Sequence, residues 1–421
     1  MKGNERKVYD LAIVGGGAAG LCAAVSAVGG NSSLAVALLE RQPRVGRKLL
    51  ATGNGRCNFT NLNLSLENYY GADKSLATPV LRSHTPEDNI AFFQTLGIYP
   101  RFESQGRVYP YSGQAGAVVD ALRLAAAQGG VDLQTETEVT AIKKAEPGYI
   151  LLTSQGEIAC RKLLLAAGGQ ASPGLGGSDK GYKLCRALGH TVSDLAPALV
   201  QLQTENSLTK AWQGLRFQGA AALCRGSQVL AQAQGEILFT EYGLSGIAAL
   251  SLSCALPGQA ETGLTVNLDF SPELSEEDMR QLLLRRREEL GYLTLENYLT
   301  GLLNKKIGQL ILKRVLGRQL SYPVSQLSAE DIAKAAQALK NLPLALVGHN
   351  GWRNAQVTAG GVSLREINTA TMESKLCPGL YLAGEILSLH GDCGGYNLHW
   401  AWSGGRLAAE SAVAALGKEK C

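Results

Sequence analysis

The sequence predicts an α/β fold with a β-rich region inserted in the middle of the chain. Three observations support this prediction. A strand, a glycine-rich turn, a helix and a second strand follow one another near the N-terminus. Two further apolar strands, one of them near the C-terminus, run directly into glycine. Between about residue 194 and residue 356, short strand-like runs are followed by helical stretches.

Composition narrows the functional classes. The 421 residues are 45% hydrophobic, and 40 basic side chains against 36 acidic ones leave a net charge of +4 without a long basic run. We therefore expect no nucleic-acid partner. The nine cysteines form no CxxC pair, which argues against a disulfide framework or zinc ribbon and favours the cytoplasm. The uncharged segment between Asp10 and Glu40 is diluted by six glycines, so we expect no signal peptide or membrane anchor.

The first element has the order of a dinucleotide-binding βαβ unit. Residues 8–14 read as a short buried strand, residues 18–28 as an alanine-rich helix, and residues 34–40 as a second strand that ends on Glu40. A carboxylate at this position would accept hydrogen bonds from a ribose 2′-OH and would repel a 2′-phosphate. The pattern therefore favours FAD or NAD over NADP.

The glycines of the intervening turn have separate roles. Gly15, Gly17 and Gly20 form a GxGxxG motif between the predicted strand and helix. Gly15 permits the tight turn, Gly17 lets the backbone approach a pyrophosphate, and Gly20 lets the helix pack closely on the strand. The N-terminus of the helix then offers unpaired N–H groups to the phosphates.

A second glycine-rich loop carries cations. The stretch GRKLLATGNGRCNFTN at 46–61 places Arg47, Lys48 and Arg56 among three glycines. Exposed N–H groups and positive side chains in one loop suit a diphosphate. The alternative interpretation is a solvated basic loop.

Two more strands predict where the rest of a long cofactor would lie. The run 163–167 leads into Gly168 and Gly169, the run 379–385 ends on Gly384 and Glu385, and a closing helix begins at about Asn397. An NAD domain needs only the first βαβ unit, whereas FAD also has a ribityl chain and a flavin ring. A terminal acid can bind ribityl hydroxyls, and a helix N-terminus can stabilise negative charge on the reduced flavin. The sequence therefore favours FAD.

These motifs carry a family resemblance over about residues 8–417. The stretch at 46–61 together with GEILFTEYGLSG, VTAGGVSLREINTATMESKLCPGLYLAGEIL and GDCGGYNLHWAWSGG resembles bacterial FAD-dependent flavoproteins known as aminoacetone-oxidase-like proteins or 3-dehydro-bile-acid delta-4,6-reductases. The resemblance implies one Rossmann-type FAD-binding domain made from both chain ends. It places that domain at 1–193 and 357–421, and an inserted β-barrel-like domain at 194–356 with a helical subdomain at about 271–345.

The resemblance also implies the FAD contacts. They are expected on the following positions, with Val139 at the adenine: Gly15, Gly17, Ala18, Ala19, Gly20, Glu40, Arg41, Lys48, Leu49, Asn54, Arg56, Cys57, Val139, Ala167, Gly168, Gly169, Gly384, Glu385, Gly395 and Asn397. The chain departs from the family pattern at Glu241, Ser388, His390 and His399. Because these positions are expected near the substrate side, the departures bear on the substrate and leave the fold prediction unchanged.

The inserted region predicts a small barrel or sheet that carries helices. Short strand-like runs between 194 and 269 are separated by glycine and polar turns. The helix after them has Ser271 or Ser275 as its N-cap, and a second helix, beginning at the serine of SAEDIAKAAQALKNLP, is expected to end at Pro343.

The expected reaction is hydride exchange with a carbon centre, with reduction of a conjugated C=C of a small or steroid-like molecule favoured. The chain has no second GxGxxG unit, so NAD(P)H would reach the flavin through the substrate cleft as a transient donor. Such a reaction needs a cation or N–H donors at the carbonyl and an acid near the α carbon. The candidate catalytic residues are Arg56, Tyr242, His390 and Tyr396. Cys57 could react with flavin or substrate, or simply pack in a tight loop.

Alternatives remain open from the sequence. The chain could be an amine oxidase that releases peroxide, or a flavin-bearing binding protein with incidental turnover, and RNA modification is disfavoured by the poor clustering of Lys and Arg. The stretch 384–400 holds His390, Asp392, Cys393 and His399, which could suggest a metal site. Since Asp392 and Cys393 are neighbours and His399 falls inside the closing helix, we expect a flavin loop that holds no metal. His390 is assigned to the substrate side, with a neutral surface histidine as the alternative. The oligomeric state is left open.

Overall fold

The computed structural model describes residues 7–30, 33–259 and 262–419, and the chain divides into two compact units. Unit 1 is Met1–Ala198 together with Ala355–Cys421, and unit 2 is Leu199–Asn354. Unit 1 therefore comes from both ends of the chain. Residues 194–198, which the sequence pattern assigned to the insert, fall in unit 1.

The strands among the described residues are β1 Lys7–Val14, β2 Val36–Leu39, β3 Thr60–Asn61, β4 Tyr69–Tyr70, β5 Pro100–Phe102, β6 Arg107–Pro110, β7 Asp132–Gln134, β8 Val139–Ala145, β9 Gly148–Thr153, β10 Gly156–Leu165, β11 Ala196–Ala198, β12 Leu202–Thr204, β13 Arg216–Arg225, β14 Gln228–Thr240, β15 Gly243–Ser245, β16 Leu264–Asp269, β17 Leu342–His349, β18 Val357–Ala359, β19 Ile367–Asn368, β20 Glu373–Ser374, β21 Leu380–Leu382 and β22 His390–Gly391.

The α-helices in the same ranges are α1 Ala18–Gly30, α2 Arg47–Ala51, α3 Thr78–Ser83, α4 Pro86–Thr95, α5 Ala115–Gln128, α6 Lys180–Ala187, α7 Asn206–Ala211, α8 Ile247–Ser253, α9 Glu276–Glu289, α10 Lys305–Leu316, α11 Ala329–Lys340, α12 Gly351–Asn354 and α13 Tyr396–Lys418.

The main sheet of unit 1 brings the predicted glycine-ended strands together. Its order is β19-β20-β21-β10-β1-β2-β7, with β9 on β10 and β8 on β9. Strand β1 pairs in parallel with β2 and β10, and β10 pairs in parallel with β21. Because these strands are buried on both faces, they read as continuous apolar runs. Their carboxyl ends therefore share one edge, and open α/β sheets bind ligands at that edge.

The closing helix α13 packs directly on α1. A Cβ added at Gly405 would lie 2.3 Å from the Ala19 carbonyl oxygen, so the two helices approach more closely than any larger residue allows. This contact ties the C-terminal end of the chain to the helix of the N-terminal βαβ unit.

Unit 2 contains a closed barrel with strand order β12-β15-β14-β13-β16-β17. Fully buried Trp212 and Phe239 lie in its core, with ring centroids 4.8 Å apart. Helices α9 and α11 begin with capping boxes at Ser275 and Ser328. The α/β fold class with an inserted barrel is confirmed.

Two local predictions need correction, and a third, the start of the closing helix, holds to within one residue. Helix α11 ends at Lys340, and Pro343 lies inside β17, where its missing N–H is compatible with strand β16 beside it. Helix α13 begins at Tyr396 with Gly395 as its N-cap, one residue before the predicted start. Strand β11 pairs with β18, which is why residues 196–198 belong to unit 1. In the described residues no helix is long and apolar enough to cross a bilayer.

Candidate functional site

The GxGxxG turn has the steric signature of a phosphate-binding turn. Gly15 has a φ of +108°, and a Cβ there would lie 2.4 Å from the Ala166 carbonyl oxygen. A Cβ at Gly20 would lie 1.9 Å from the Gly15 carbonyl oxygen, whereas one at Gly17 would meet nothing within 4 Å. Gly15 and Gly20 are thus fixed by the turn itself, while Gly17 borders open space at the start of α1. Ala18 and Ala19 open that helix.

The Glu40 carboxylate is held beside this turn. Its Oε2 accepts a hydrogen bond from the Gly16 N–H at 2.8 Å, and its Oε1 accepts one from the Gln42 N–H at 2.7 Å. These two bonds aim the carboxylate without using all of its lone pairs. Arg41 donates to the Gly176 carbonyl, and buried Val139 opens strand β8.

The loop after α2 has an unusual backbone. Gly53, Asn54 and Gly55 all have positive φ, at 56°, 56° and 82°, and Cys57 follows at 61°. Asn tolerates this region better than most residues, and glycine adopts it freely. Cys57 is fully buried, and burial raises the pKa of its thiol to about 12. A reactive thiolate is therefore disfavoured, and the contact of Cys57 with a cofactor stays a prediction.

An ion pair joins this loop region to the end of β21. Lys48 Nζ lies 2.9 and 2.7 Å from the two carboxylate oxygens of Glu385. Glu385 Oε1 also accepts the Thr358 N–H at 2.8 Å. Neighbouring Gly169 must be glycine, since a Cβ there would lie 2.3 Å from Thr358 Oγ1. Gly168, with φ +70°, has open space around its Cβ position.

Asn397 organises the loop that precedes α13. Its Oδ1 accepts the Gly391 N–H at 2.8 Å, and its Nδ2 donates to the carbonyls of Gly391 at 2.8 Å and Asp392 at 3.3 Å. Gly395 has φ +102°, and a Cβ there would lie 2.6 Å from the Thr60 carbonyl oxygen. The side chain of Asn397 therefore forms hydrogen bonds within the loop. The backbone N–H groups of the first turn of α13 remain for a ligand.

Asn58 supplies an independent sign that a ligand belongs here. Its side chain is 8% exposed, and its buried Oδ1 has no hydrogen-bond partner within the described part of the chain. A Cβ at Gly395 would lie 2.9 Å from this oxygen, so the unsatisfied acceptor sits beside the N-terminus of α13. A buried acceptor without a donor costs about 1–3 kcal/mol, which a bound N–H group or water would recover. The residues present therefore fit a flavin dinucleotide.

His390 lies in the short strand pair β22–β4, close to the Tyr70 ring and the Asp392 carboxylate. It is 5% exposed, pairs across to Tyr70 in β22–β4, and its ring stacks on the Tyr70 ring with centroids 5.4 Å apart. The Tyr70 hydroxyl donates to Asp392 Oδ1 at 3.0 Å. Burial raises the pKa of the Asp392 carboxyl above its usual range. The surface alternative for His390 is wrong, because the β4 pairing covers it.

The other candidate catalytic residues are more scattered. Arg56 stacks over the Tyr109 ring at 4.1 Å and pairs with Glu103 at 2.9 Å. Tyr396 is 7% exposed, and its carbonyl accepts the Tyr69 hydroxyl at 2.9 Å. Tyr242 belongs to unit 2, in the turn between β14 and β15.

His399 is a core residue. It is fully buried in α13, and its Nδ1 lies 2.8 Å from the Thr60 hydroxyl. Burial lowers the pKa of His399 to about 3, so the ring is neutral at physiological pH. The ranges that the structure describes hold no cluster of three metal-ligating side chains. A metal-free loop stays a prediction.

The structure thus gathers the predicted turn, Glu40, Lys48, Glu385 and Asn397 in unit 1. Leu49, Ala167 and Gly384 line the same unit as backbone or packing positions, and their cofactor contacts stay predictions. Sequence reasoning missed Asn58, Tyr70 and Thr358. Asn58 could have been predicted, because it directly follows the GRC triplet of the cationic loop. Nothing in the sequence around Tyr70 indicates that its partner, Asp392, lies 322 positions later.

Comparison with known proteins agrees with this arrangement. The family described as HI0933-like protein Rossmann domain matches residues 9–411. A 3-dehydro-bile acid delta(4,6)-reductase of Clostridium scindens is 36% identical over 405 residues, which are 96% of this chain and 98% of that protein. A ribosomal RNA dihydrouridine synthase of Escherichia coli is 31% identical over 411 residues, 97% of this chain and 98% of that protein.

Among solved structures, an Escherichia coli quinol fumarate reductase mutant matches with a TM-score of 0.51 and 18% identity, covering 98% of this chain and 71% of that one. At this identity the match bears on the fold alone. The family resemblance drawn from the sequence is confirmed. The expectation of no nucleic-acid partner is not supported, because one whole-length relative is named for an RNA.

Proposed function

The chain belongs to the HI0933-like Rossmann family, and from this premise we propose that it is an FAD-dependent oxidoreductase that reduces a C=C bond conjugated to a carbonyl. One observation carries the proposal. Two relatives that match nearly the whole chain are named for a delta(4,6)-reductase and a dihydrouridine synthase. Both names describe the addition of hydrogen across a ring C=C, so the two substrates differ while the reaction class is shared.

The cradle in unit 1 supports FAD as the cofactor. Open space at Gly17 and Gly168 would take the diphosphate, and Glu40 would bind the adenosine ribose. The ion pair of Lys48 with Glu385 and the first turn of α13 would serve the ribityl chain and the flavin edge. When bound, FAD supplies the hydride that the β carbon receives, and NAD(P)H is proposed as the transient donor.

A proton for the α carbon needs a group that is protonated at neutral pH and lies near the flavin loop. We assign it to the Tyr70 hydroxyl, which carries its proton at neutral pH and donates a 3.0 Å hydrogen bond to the buried Asp392 carboxyl. His390, stacked on Tyr70, would position that ring. Arg56 and Tyr396 remain proposed groups for the substrate carbonyl, and Tyr242 stays a prediction of the same kind.

The test is spectroscopic. The purified protein is expected to be yellow with one FAD per chain, and anaerobic NADH or NADPH is expected to bleach it. A conjugated enone should then restore the oxidised spectrum without peroxide. Release of FMN, or of no flavin, would refute the cofactor assignment. Rapid peroxide formation with an amine would favour the amine-oxidase alternative, and a flavin that no donor reduces would favour a binding protein.

Glu40 tests the cradle separately from turnover. Glu40→Ala is expected to weaken FAD retention about tenfold to a hundredfold, since charged hydrogen bonds contribute about 1.5–3 kcal/mol. Glu87→Ala, at an exposed glutamate of unit 1, is the matched control and should retain FAD like the parent protein. Dialysis followed by flavin fluorescence measures both. Equal FAD affinity in the two variants would contradict the ribose assignment.

A further inference from the structure

Asn58 differs from a neighbouring asparagine in having an unused acceptor. Its side chain is 8% exposed, and its Oδ1 has no hydrogen-bond partner among the described residues. Asn61 uses both ends of its carboxamide, because its Oδ1 accepts the Asn63 N–H at 2.9 Å and its Nδ2 donates to the Gly394 carbonyl at 2.9 Å. The Asn58 oxygen is therefore the acceptor of this segment that is left for a ligand.

The segment that follows Asn58 is anchored on helix α13. The Phe59 carbonyl accepts a hydrogen bond from Trp402 Nε1 at 2.8 Å. The Thr60 hydroxyl lies 2.8 Å from His399 Nδ1. Because Trp402 and His399 both belong to α13, these contacts fix the position of Asn58 relative to the first turn of that helix. Such preorganisation lowers the entropic cost of binding a ligand.

Glycines bring two loops close to this side chain. A Cβ at Gly53 would lie 3.0 Å from the Asn58 backbone nitrogen and 3.7 Å from its Cβ. A Cβ at Gly395 would lie 2.9 Å from the Asn58 Oδ1, so a larger residue there would press on this oxygen. The buried acceptor thus lies between the cationic loop and the start of α13.

Hydrogen-bond donors lie beside this acceptor. Gly395 is the N-cap of α13 and has no side chain to cap the helix. In the parts of the chain that the structure describes, the backbone N–H groups of Tyr396, Asn397 and Leu398 have no acceptor. A ligand edge that complements a buried acceptor flanked by donors has an N–H flanked by carbonyl oxygens. This is the pattern of a cyclic imide.

We infer that Asn58 Oδ1 accepts the N3–H of the flavin pyrimidine ring, while the first turn of α13 binds the adjacent carbonyl oxygen. The inference rests on the proposed function, since it takes FAD as the cofactor. N3 is the one ring nitrogen of the oxidised isoalloxazine that carries a hydrogen, so it is the ring donor that matches Asn58 in that state. Asn58 then selects the unsubstituted imide and positions the ring, and it takes no part in proton transfer.

The experiment is a cycle between one side chain and one cofactor atom. Apoprotein is titrated with FAD and with 3-methyl-FAD, in which a methyl group replaces the N3 hydrogen, and flavin fluorescence gives both dissociation constants. The parent protein should bind 3-methyl-FAD about tenfold more weakly than FAD, because the buried acceptor loses its donor. Asn58→Ala should bind FAD about tenfold more weakly than the parent does, and should bind the two cofactors about equally.

The stability of the apoprotein separates this role from a structural one. Asn58→Ala no longer buries an unpaired acceptor, so its apoprotein should unfold at the same urea concentration as the parent apoprotein or at a higher one. A lower midpoint would show that Asn58 stabilises the fold without a ligand, and would overturn the inference.

Two further variants serve as matched controls. Asn58→Asp retains an acceptor oxygen and should keep the preference for FAD over 3-methyl-FAD. Asn63→Ala changes an exposed asparagine of the same segment and should behave like the parent protein.

The opposing outcomes are distinct. Equal binding of both cofactors by the parent protein, an unchanged preference in Asn58→Ala, or a lost preference in Asn58→Asp would each overturn the inference and leave the reductase function intact. A parent protein that binds neither flavin would refute the proposed function and the inference together.

Discussion

The GxGxxG turn of unit 1 and the barrel of unit 2 differ in the side-chain volume that they accommodate. In the turn, Gly17 borders empty space and Gly20 admits no Cβ at all. In the barrel, Trp212 and Phe239 are fully buried and their rings fill the core. The difference shows that glycine in unit 1 permits a tight backbone turn with open space beside Gly17, whereas large residues in unit 2 fill the core. The two units should therefore respond to opposite changes in side-chain volume.

The largest effect is expected from removing volume in the barrel. Trp212→Ala deletes a buried indole that contacts Phe239 and donates from Nε1 to the Lys306 carbonyl at 3.3 Å. The free energy of unfolding should fall by about 3–5 kcal/mol. Urea denaturation measures this loss, and the folded fraction should still hold FAD in the parent ratio. A folded variant without flavin would contradict the separation of the two units' roles.

Adding side-chain volume in the turn is expected to remove FAD and to cost less stability than the change in the barrel. Gly20→Ala places a methyl group 1.9 Å from the Gly15 carbonyl oxygen, whereas Gly29→Ala on the same helix meets nothing within 4 Å. We expect Gly20→Ala to lose FAD and about 1–3 kcal/mol of stability. Gly29→Ala should keep FAD and be neutral or slightly stabilising. Flavin content after gel filtration compares the pair, and equal content would show that the turn tolerates the methyl group.

The smallest expected effect concerns pH. Burial lowers the pKa of His399 to about 3 in the folded protein, against about 6.5 in an unfolded chain. Between these values the unfolded state binds the extra proton, so stability falls as the pH drops below about 6.5, by up to about 1.4 kcal/mol per unit. His399→Gln should flatten this slope. Denaturation midpoints at pH 7.5 and 5.5 test it, and parallel slopes in both proteins would exclude His399 as the cause.

Local patterns predicted much of the fold correctly. The GxGxxG turn, its strand and its helix follow from residues within about thirty positions, where sterics leave few alternatives. The capping boxes at Ser275 and Ser328 are equally local. Pro343 shows the limit, because a proline excludes a helix interior but is compatible with the start of strand β17, where pairing with β12 begins only at Leu346.

The sequence by itself determined the dinucleotide turn, the acid at Glu40, the family and the β-rich insert, because each depends on spacing between near neighbours. Tertiary structure alone decided the pairs that join distant segments. Lys48 meets Glu385, Tyr70 meets Asp392, and the unsatisfied Asn58 oxygen faces Gly395. Such pairs depend on which loops the parallel sheet and the α1–α13 contact bring to one edge, and loop geometry carries no periodic signal. The glycine turn and Glu40 could therefore be predicted from the sequence, whereas the polar pairs between distant segments could not.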